Sequence, residues 1–344
     1  PTGLIPWRDG VIIACAPDIF FARDTDGDLR ADERKVLFTG FGEGNQQHRL
    51  NGFEMGLDGW IYGANGDSGG TIRSIATGKS IDIRNRDFRF DPDTGALETE
   101  SGQTQFGRHR DDEGRWYGNN NPTIVWEYVI HESDLKRNPL LALTSTKQIL
   151  DVDTVVHPIS RTLPRFNDLH MANRITSANS PTPYRDELFG PAFANNVFVS
   201  EPVHNLIRRV VLDPTGGPVR KGRRAADEQD REFLASSDHW FRPTMMKTGP
   251  DGALWIADMN RAVIEHPQWI PDDWERRLDL RAGADRGRIF RVVPVDRAPR
   301  TMPRLDALDG PALAAAIDSP NGWQRDTVQR LLMHSHGSRF QRDS

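Results

Sequence analysis

The sequence predicts an all-β protein, and more specifically a β-propeller of five to six blades. Three observations predict it: short runs of bulky and β-branched residues bounded by turn residues, few long helical patterns before residue 300, and a loose internal repeat. Each repeat is a turn, then a run of bulky residues, then a small or polar exit, as in GLDGWIYGANGD and GPDGALWIADM. The period is about fifty residues where no insertion intervenes, which is typical of four-stranded propeller blades.

One turn position recurs in every repeat. The aligned residues are Gly10, Gly59, Gly114, Asn196 and Gly252. Glycine and asparagine accept the positive φ that a tight hairpin needs. We therefore expect each of these turns to open a blade, and the polar exit of the following strand to lie at the rim of a central channel. The stretch 131–165 interrupts the period and predicts an insertion with one short helix.

The chain changes character near its C-terminus. We expect the propeller to occupy residues 1–297 and an α-helical region to run over 303–344. Two helix starts are signalled there, one by Asp309 and one by Ser319, each followed closely by a proline. The two helices look like the first pair of a HEAT-like solenoid, which cannot bury its apolar face alone, so we expect the pair either to pack on the propeller or to fray.

Composition excludes several classes of function. The chain has 344 residues and a formal net charge of −5, which argues against general nucleic-acid binding. Its single cysteine, Cys15, allows no internal disulfide and no cysteine cluster for zinc or covalent haem. No run approaches the ~18 apolar residues of a membrane span, and no signal-peptide pattern occurs at the start.

The stretch RDTDGDLRADERK predicts a calcium-binding hairpin. Carboxylates at alternate positions around Gly27 bring hard oxygen ligands to one ion. Lys35 stands where an EF-hand needs its bidentate glutamate, so this is a loop between two strands and not an EF-hand. The predicted ligands are Asp24, Asp26, Asp28 and Asp32, with Glu33 as an alternative to Asp32. An exposed acidic turn without a metal is the other interpretation.

His48 is the candidate general base. It directly precedes the second repeat in HRLNGFEMGLDGWIYGANGD, which places it near the mouth of the channel. A neutral imidazole there is suited to accept a proton from a substrate hydroxyl. The alternative is a structural histidine that bonds a loop carbonyl.

Arginines near strand ends form a third candidate set. Because arginine binds carboxylates through two parallel hydrogen bonds, guanidinium groups that converge on a channel would indicate an anionic ligand. Taken singly, each is typical of a salt-bridged surface residue. They are Arg185, Arg208, Arg209 and Arg242.

Two of these stretches resemble the quinoprotein sugar dehydrogenases of the soluble glucose and sorbosone type. The first is the His48 segment, and the resemblance implies that His48 is the catalytic base. The second is PTPYRDELFGPAFANNVFVSEPVHNLIRRV, where the resemblance implies that Arg185 holds the carboxylates of pyrroloquinoline quinone (PQQ). It implies further cofactor contacts from His204, Asn205 and Arg208. We also expect Arg242 to help hold the carboxylates and Gln47 to belong to the cofactor site. The family has an aspartate before its histidine, where this chain has Gln47, which is expected to orient the imidazole without a charge.

Residues 1–335 as a whole resemble the membrane-bound dehydrogenase domain of planctomycete-type bacteria. The resemblance lies in stretches such as DTDGD, GLDGWIYGANGD and WIPDDWE. Proteins of that family join a propeller, HEAT-like repeats and a c-type haem domain. The resemblance therefore implies a periplasmic or extracytoplasmic location, a c-type cytochrome domain as electron acceptor, and a blade that begins before residue 1. This chain has no CxxCH motif, so we expect no haem in it.

These observations favour a PQQ-dependent oxidation of a sugar or alcohol, with His48 as base and Ca²⁺ as a further cofactor. A non-catalytic propeller that binds glycans or protein partners is the alternative. A third reading, a hydrolase or lyase, would need a carboxylate in the channel, for which Asp67 and Asp258 are the candidates.

Overall fold

The computed structural model describes residues 1–138, 140–141, 145–150, 152–161, 172–213 and 220–336. Strands dominate these residues. In chain order they are β1 (Gly3–Trp7), β2 (Gly10–Cys15), β3 (Asp18–Arg23), β4 (Glu33–Phe41), β5 (Asn51–Met55), β6 (Ile61–Ala64), β7 (Gly70–Ser74), β8 (Ser80–Asp82), β9 (Asp87–Phe90), β10 (Leu97–Glu100), β11 (His109–Arg110), β12 (Trp116–Asn120), β13 (Thr123–Tyr128), β14 (Lys147–Ile149), β15 (Asn179–Pro183), β16 (Asn196–Glu201), β17 (Leu206–Leu212), β18 (Gly222–Arg224), β19 (Leu234–Ala235), β20 (Pro243–Thr248), β21 (Leu254–Asp258) and β22 (Arg288–Val292).

The α-helices of the described residues are few and mostly short. They are α1 (Glu132–Arg137), α2 (Asp272–Glu275), α3 (Gly310–Ala315) and α4 (Gly322–His336). Helix α1 lies in the predicted insertion, part of which falls outside the described residues. None of the helices in the described ranges is long and apolar enough to cross a bilayer.

The strands form five antiparallel sheets, which are the five blades of a β-propeller. Blade 1 has the order β1-β2-β3-β4-β7-β8, blade 2 β5-β6-β9-β10 and blade 3 β11-β12-β13-β14. Blade 4 has β15-β16-β17-β18 with β19 beside β17, and blade 5 has β20-β21-β22. The propeller prediction is confirmed, at the lower of the two predicted blade numbers.

The repeated turn is the first hairpin of each blade. Gly59, Gly114 and Gly252 adopt φ of 82°, 80° and 83° between the first and second strands of blades 2, 3 and 5. In blade 4 the positive φ falls on Asn195, one residue before the aligned Asn196, and in blade 1 on Arg8, before Gly10. The hairpin was therefore predicted correctly in all five blades. In two of them the residue with positive φ lies one or two positions before the predicted one.

The hydrophobic core lies between the blades. One cluster joins side chains of blades 1 and 2, such as Phe38 and Phe88. A second joins blades 3 and 4, and a third joins blades 4 and 5, where Phe198 packs with Met246. Because each blade buries its faces against its neighbours, the packing is radial and the first strands are brought together around one axis.

The first strands β1, β5, β11, β15 and β20 line this axis. Neighbouring first strands are in contact from β1 to β20. The approach is closest at Gly52 and Gly107: a Cβ on Gly52 would lie 2.8 Å from the Cα of Gly107, and a Cβ on Gly107 would lie 3.0 Å from the Cα of Ser180. Side chains larger than hydrogen have no room there, so neighbouring blades approach closely at this level. We call the end of the axis at which the first strands begin the upper end, and the end at which they finish the lower end.

Helix α4 covers the lower end and is bonded to all five blades. Arg330 donates to the Pro6 carbonyl of blade 1 (3.0 Å), and Gln329 donates to the Leu57 carbonyl of blade 2 (3.0 Å). Gln324 donates to the Pro250 carbonyl of blade 5 (2.8 Å). The predicted packing of the C-terminal helices on the propeller is therefore found, while a HEAT-like solenoid stays a prediction and residues 337–344 lie outside the described residues.

Asp326 supplies the charged contacts of α4 with blades 3 and 4. Its carboxylate receives Arg110 (2.7 Å) from β11 and both terminal nitrogens of Arg185 (2.6 and 2.9 Å), which directly follows β15. The Arg110 side chain is only 1% exposed and that of Arg185 10%. One carboxylate therefore neutralises two desolvated guanidinium groups and joins two blades to the helix.

We predict that Asp326→Ala lowers the free energy of unfolding by about 3–5 kcal/mol, because it leaves two buried cations without their shared carboxylate. Urea denaturation measures this. Asp306→Ala is the matched control, since Asp306 pairs with the exposed Arg304 and its loss is expected to leave the free energy of unfolding almost unchanged. Equal losses of unfolding free energy in the two variants would contradict a role of α4 in holding the blades together.

Candidate active site

His48 lies at the upper end of the propeller, at the start of β5. It is the last residue of a 3-10 turn, Gln46–His48, which the Asn45 side chain caps by accepting the Gln47 N–H (2.9 Å). The Ser68 N–H donates to the His48 carbonyl (3.0 Å), so a second turn holds the backbone from the other side. The His48 side chain is 31% exposed. A ligand on the upper face therefore has access to it.

The tautomer of His48 follows from its neighbours. Gln105 Oε1 accepts the backbone N–H of Asn121 (2.8 Å), which a backbone amide can only donate. The amide nitrogen of Gln105 is therefore the atom 2.9 Å from His48 Nε2, and it donates to it. A neutral imidazole that accepts at Nε2 carries its proton on Nδ1. Nε2 is thus the basic atom.

Asp67 lies on the other side of the imidazole. Its Oδ2 is 3.9 Å from His48 Nδ1, and its Oδ1 accepts from the Gln103 side chain (2.7 Å). Burial raises the pKa of the Asp67 carboxyl, and the neighbouring imidazole and Gln103 oppose this shift. The charge faces the nitrogen that carries the proton, which favours the Nδ1–H tautomer and stabilises an imidazolium once Nε2 gains a second proton.

A glycine-rich turn positions Asp67. Asp67 itself has φ of 72°, and Gly66 before it has φ of 71°. A Cβ on Gly66 would lie 2.0 Å from the Arg49 carbonyl, so the close approach of this turn to the His48 segment needs glycine. Asn65 anchors the turn by donating to two backbone carbonyls and accepting the Gly69 N–H (3.0 Å).

Asp87 ties this turn to the loop that carries Gln105. Its buried Oδ1 accepts the backbone N–H of Asn65 (3.0 Å) and of Thr104 (2.9 Å). Its Oδ2 accepts the Thr104 hydroxyl (2.6 Å) and Arg108 Nη1 (2.8 Å). The Asp87 carboxylate therefore holds the backbone two residues before Asp67 and one residue before Gln105, the two neighbours of the imidazole.

Gln47 does not orient the imidazole. Its side chain donates instead to the Ile264 carbonyl, in the loop between β21 and β22 of blade 5. The carboxylate expected beside the histidine is supplied by Asp67, 19 positions further along the chain. Sequence reasoning named Asp67 only as a candidate for hydrolase chemistry, because nothing in its spacing from His48 shows that the turn folds back.

Arg242 is buried among backbone carbonyls at the upper end of blade 5. It donates to the carbonyls of Pro202 (2.8 Å), Arg261 (3.0 Å) and Ala262 (3.1 Å), and burial lowers its pKa. Together with Gln47, it fixes the loop 261–264 over the first strands. Its guanidinium is used structurally.

The other residues predicted to bind the cofactor form separate buried networks in blade 4. His204 Nδ1 lies 3.1 Å from Glu201, and its Nε2 accepts the Asn173 N–H (3.2 Å). Asn205 donates to the carbonyls of His239 and Phe241. Arg208, fully buried, pairs with Glu232 (2.8 Å) and donates to two carbonyls of the segment 153–155.

Arg185 lies at the lower end, bonded to Asp112 (2.7 Å) and to Asp326 of α4. The structure thus does not bring Arg185, Arg208 or Arg242 to His48. The reason is the same for all three. Burying a guanidinium costs free energy unless its N–H groups are hydrogen-bonded, and each of the three donates to carboxylates or carbonyls elsewhere. Asp258 is likewise structural, because it is buried and pairs with Arg288 (2.7 Å).

Two other cations belong to the surroundings of His48 and Asp67 and were missed by sequence reasoning. Arg49 follows His48 directly; its Nη2 donates to the Glu43 carbonyl (2.8 Å), and its buried Nε has no hydrogen-bond partner among the described residues. Lys147 lies over the Trp126 ring, 3.8 Å from its centre; burial lowers its pKa, and the negative charges of Asp87 and Asp67 oppose this shift. Neither stands in a motif that marks it.

The predicted calcium loop is the exposed hairpin between β3 and β4. Carboxylate oxygens of Asp24, Asp26 and Asp28 all lie within 4.8 Å of one another. Asp32 is not part of this group, since its Oδ2 accepts from the backbone and the hydroxyl of Thr25 (both 2.7 Å). The three-carboxylate arrangement agrees with the predicted pattern, whereas calcium binding itself stays a prediction.

A chain of polar side chains on the axis was also missed. Glu54 Oε2 lies 3.1 Å from His109 Nδ1 and is paired with Lys247, and His109 Nε2 lies 3.2 Å from the Ser180 hydroxyl. The three residues come from blades 2, 3 and 4, about 55 and 71 positions apart. Only the packing of neighbouring blades brings them together, so no local motif could have shown them.

The chain matches the family described as Domain of unknown function (DUF7133) over residues 1–296. No curated protein matches it. Among solved structures, the luciferin-regenerating enzyme is 11% identical over 86% of this chain and 78% of its own, with a TM-score of 0.47. A glucose dehydrogenase is 12% identical over 74% and 78%, with a TM-score of 0.40. The PQQ-bound aldose sugar dehydrogenase from Streptomyces coelicolor is 16% identical over 76% and 77%, with a TM-score of 0.35.

We predict that the free energy of unfolding falls as the pH drops below about 4.5, in part because of Glu54. Burial alone would raise the pKa of Glu54, but Lys247 and His109 hold it well below its usual value of 4.5. The unfolded chain therefore binds this proton at a higher pH than the folded chain does, and the stabilisation present above the unfolded pKa is lost on acidification. Urea denaturation between pH 3 and about pH 6 should show a shallower pH dependence in Glu54→Gln; the same slope in both proteins would contradict the prediction.

Proposed function

The chain belongs to the DUF7133 family, and we propose that it oxidises a hydroxyl of a sugar or alcohol, with His48 as the general base. The observation that carries the proposal is the orientation of the imidazole on the upper face. Its Nδ1 proton faces a carboxylate, its basic Nε2 is fixed by Gln105, and the side chain is partly exposed. This is the arrangement that general-base removal of a hydroxyl proton requires.

In the proposed step, a substrate hydroxyl takes the place of the Gln105 N–H at His48 Nε2 and gives up its proton to that atom. Asp67 then stabilises the imidazolium across 3.9 Å. Asp67 and Gln105 are positioning residues, because they act through the imidazole. A propeller with a rigid ring of first strands keeps these groups in place while loops of the upper face admit the substrate.

The oxidation also needs a two-electron acceptor, and we propose a quinone of the PQQ type. When bound, such a quinone accepts the hydride of the alcohol. The arginines that sequence reasoning assigned to its carboxylates do not fit that role, because their guanidinium groups are already saturated and do not contact His48. Arg49 adjoins His48 in the chain and Lys147 interacts electrostatically with Asp67, and we assign no further step to the quinone.

A non-catalytic propeller that binds glycans on the same face is the second candidate. It is favoured by one observation, the hydrogen bond of Gln105 to Nε2, which occupies the basic lone pair until a ligand displaces it. In that case the polar upper face would bind hydroxyls without removing a proton. A location outside the cytoplasm and a cytochrome as electron acceptor remain proposals that rest on the resemblance.

We predict that the chain, supplied with PQQ and Ca²⁺, reduces an electron-accepting dye with a sugar or alcohol from a panel, and that His48→Asn lowers this rate at least about 100-fold. His131→Asn is the matched control, because His131 also lies 3.9 Å from a carboxylate, Glu100, with 36% of its side chain exposed. It is expected to leave the rate unchanged.

Calorimetry with PQQ separates the possible outcomes. Binding of PQQ without turnover by the natural chain would favour the non-catalytic candidate. An equal rate in the His48 and His131 variants would remove His48 from the mechanism, and absence of both binding and turnover would overturn the proposal.

A further inference from the structure

A cavity lies at the lower end of the axis, beneath α4. Its volume is about 250 Å³, and its walls come from the first strands of all five blades and from α4. His48 is not among the residues that line it. We refer to this cavity, whose wall includes Glu54, Lys247 and Arg330, as the lower chamber.

The lower chamber carries an excess of positive charge. Four cationic side chains line it, against two carboxylates, Glu54 and Asp326; the cations are Arg110, Arg185, Lys247 and Arg330. Asp326 is shared by Arg110 and Arg185, and Asp112 outside the chamber is shared by Arg185 and Arg325. Two positive charges on the wall are therefore not balanced by carboxylates of the wall.

Arg330 is the cation with the fewest partners. Among the residues that the structure describes, it donates only to the Pro6 carbonyl (3.0 Å) and forms no ion pair. Burial lowers its pKa, with Asp326 as the opposing charge one helical turn away. A guanidinium in this position has free donors for the oxygens of an anion.

Glu54 provides the chamber with a hydrogen-bond acceptor. Its Oε2 receives both Lys247 and His109, whereas no described residue donates to its Oε1. This oxygen is not among the buried atoms that lack a partner, so it is open to the cavity. A ligand hydroxyl can donate to it.

The remaining wall is largely apolar apart from His109 and three threonines, and the chamber is not sealed. Ile5, Phe53 and Met55 contribute apolar surface. Trp323 is 36% exposed and the Lys247 side chain 43%, which leaves a path for a small solute. The wall therefore combines donors for an anion, one acceptor for a hydroxyl, and a short apolar surface between them.

We propose that the lower chamber binds a small hydroxycarboxylate, with its carboxylate toward Arg330 and Lys247 and its hydroxyl donating to Glu54 Oε1. The site is independent of His48 and of the reaction proposed for the upper face. Because α4 and all five first strands form the wall, a bound anion also strengthens the attachment of the helix to the propeller.

Calorimetry with L-malate, using the full chain, tests the proposal. Saturable binding is expected, and succinate, which lacks the hydroxyl, should bind at least about fivefold more weakly because Glu54 Oε1 loses its donor. Arg330→Gln should weaken malate binding at least about tenfold, while Arg330→Lys should retain most of it. His48→Asn should bind malate as the natural chain does.

Arg304→Gln is the matched control, since Arg304 is an exposed arginine outside the chamber. Circular dichroism verifies that each variant is folded, and Lys247→Gln replaces Arg330→Gln if the latter is not. Absence of saturable malate binding at millimolar concentration would overturn the proposal. Binding that neither chamber variant weakens would overturn it as well, because the anion would then lie elsewhere.

Discussion

The buried ion pair of Asp87 and Arg108 holds the upper face of this propeller together. Both side chains are fully buried, and the guanidinium lies over the rings of Tyr128 and Trp116 at 4.4 and 5.2 Å. Burying either charge alone would cost several kcal/mol, so the pair constrains blade 2 and the loop before blade 3 to one arrangement. The same Asp87 carboxylate accepts the Asn65 and Thr104 backbone amides. The turn that carries Asp67 and the loop that carries Gln105 are thereby fixed on both sides of His48.

The charged side chains at the two ends of the axis are arranged differently. At the upper end the His48 imidazole lies between the Asp67 carboxylate and the Gln105 amide. Arg208 and Arg242 are hydrogen-bonded elsewhere, Arg208 to Glu232 and backbone carbonyls and Arg242 to backbone carbonyls alone. At the lower end α4 places Asp326 between Arg110 and Arg185 and leaves Arg330 with a single carbonyl partner. The two sets of groups lie at opposite ends of the first strands, so the two proposed sites share no residue.

The sequence was sufficient to predict what depends on local chain geometry. The first hairpin of each blade was predicted from Gly59, Gly114, Gly252 and their counterparts, because a positive φ in a two-strand turn restricts the residue. The position of His48 at the start of β5 followed from the same repeat. These features need only neighbouring residues.

What could not be predicted depends on ring closure and burial. Asp67 approaches His48 because the turn at Gly66 folds back, and Glu54 meets His109 only because blades 2 and 3 are adjacent. From the sequence, Arg208 was expected to bind an anion. In the interior of blade 4, however, Glu232 and two backbone carbonyls accept the hydrogen bonds of its guanidinium. An arginine's sequence neighbours do not show whether its guanidinium faces a ligand or a buried carboxylate.

The orientation of His48 is the central claim, and its tautomer is the most direct test of it. Nitrogen NMR of the labelled imidazole distinguishes a protonated from an unprotonated ring nitrogen in the folded chain. We predict that neutral His48 carries its proton on Nδ1 and that its Nε2 is unprotonated, with a lone pair that accepts the Gln105 N–H. A proton on Nε2 instead would contradict it, because the nitrogen facing Gln105 would then have no lone pair with which to remove a substrate proton.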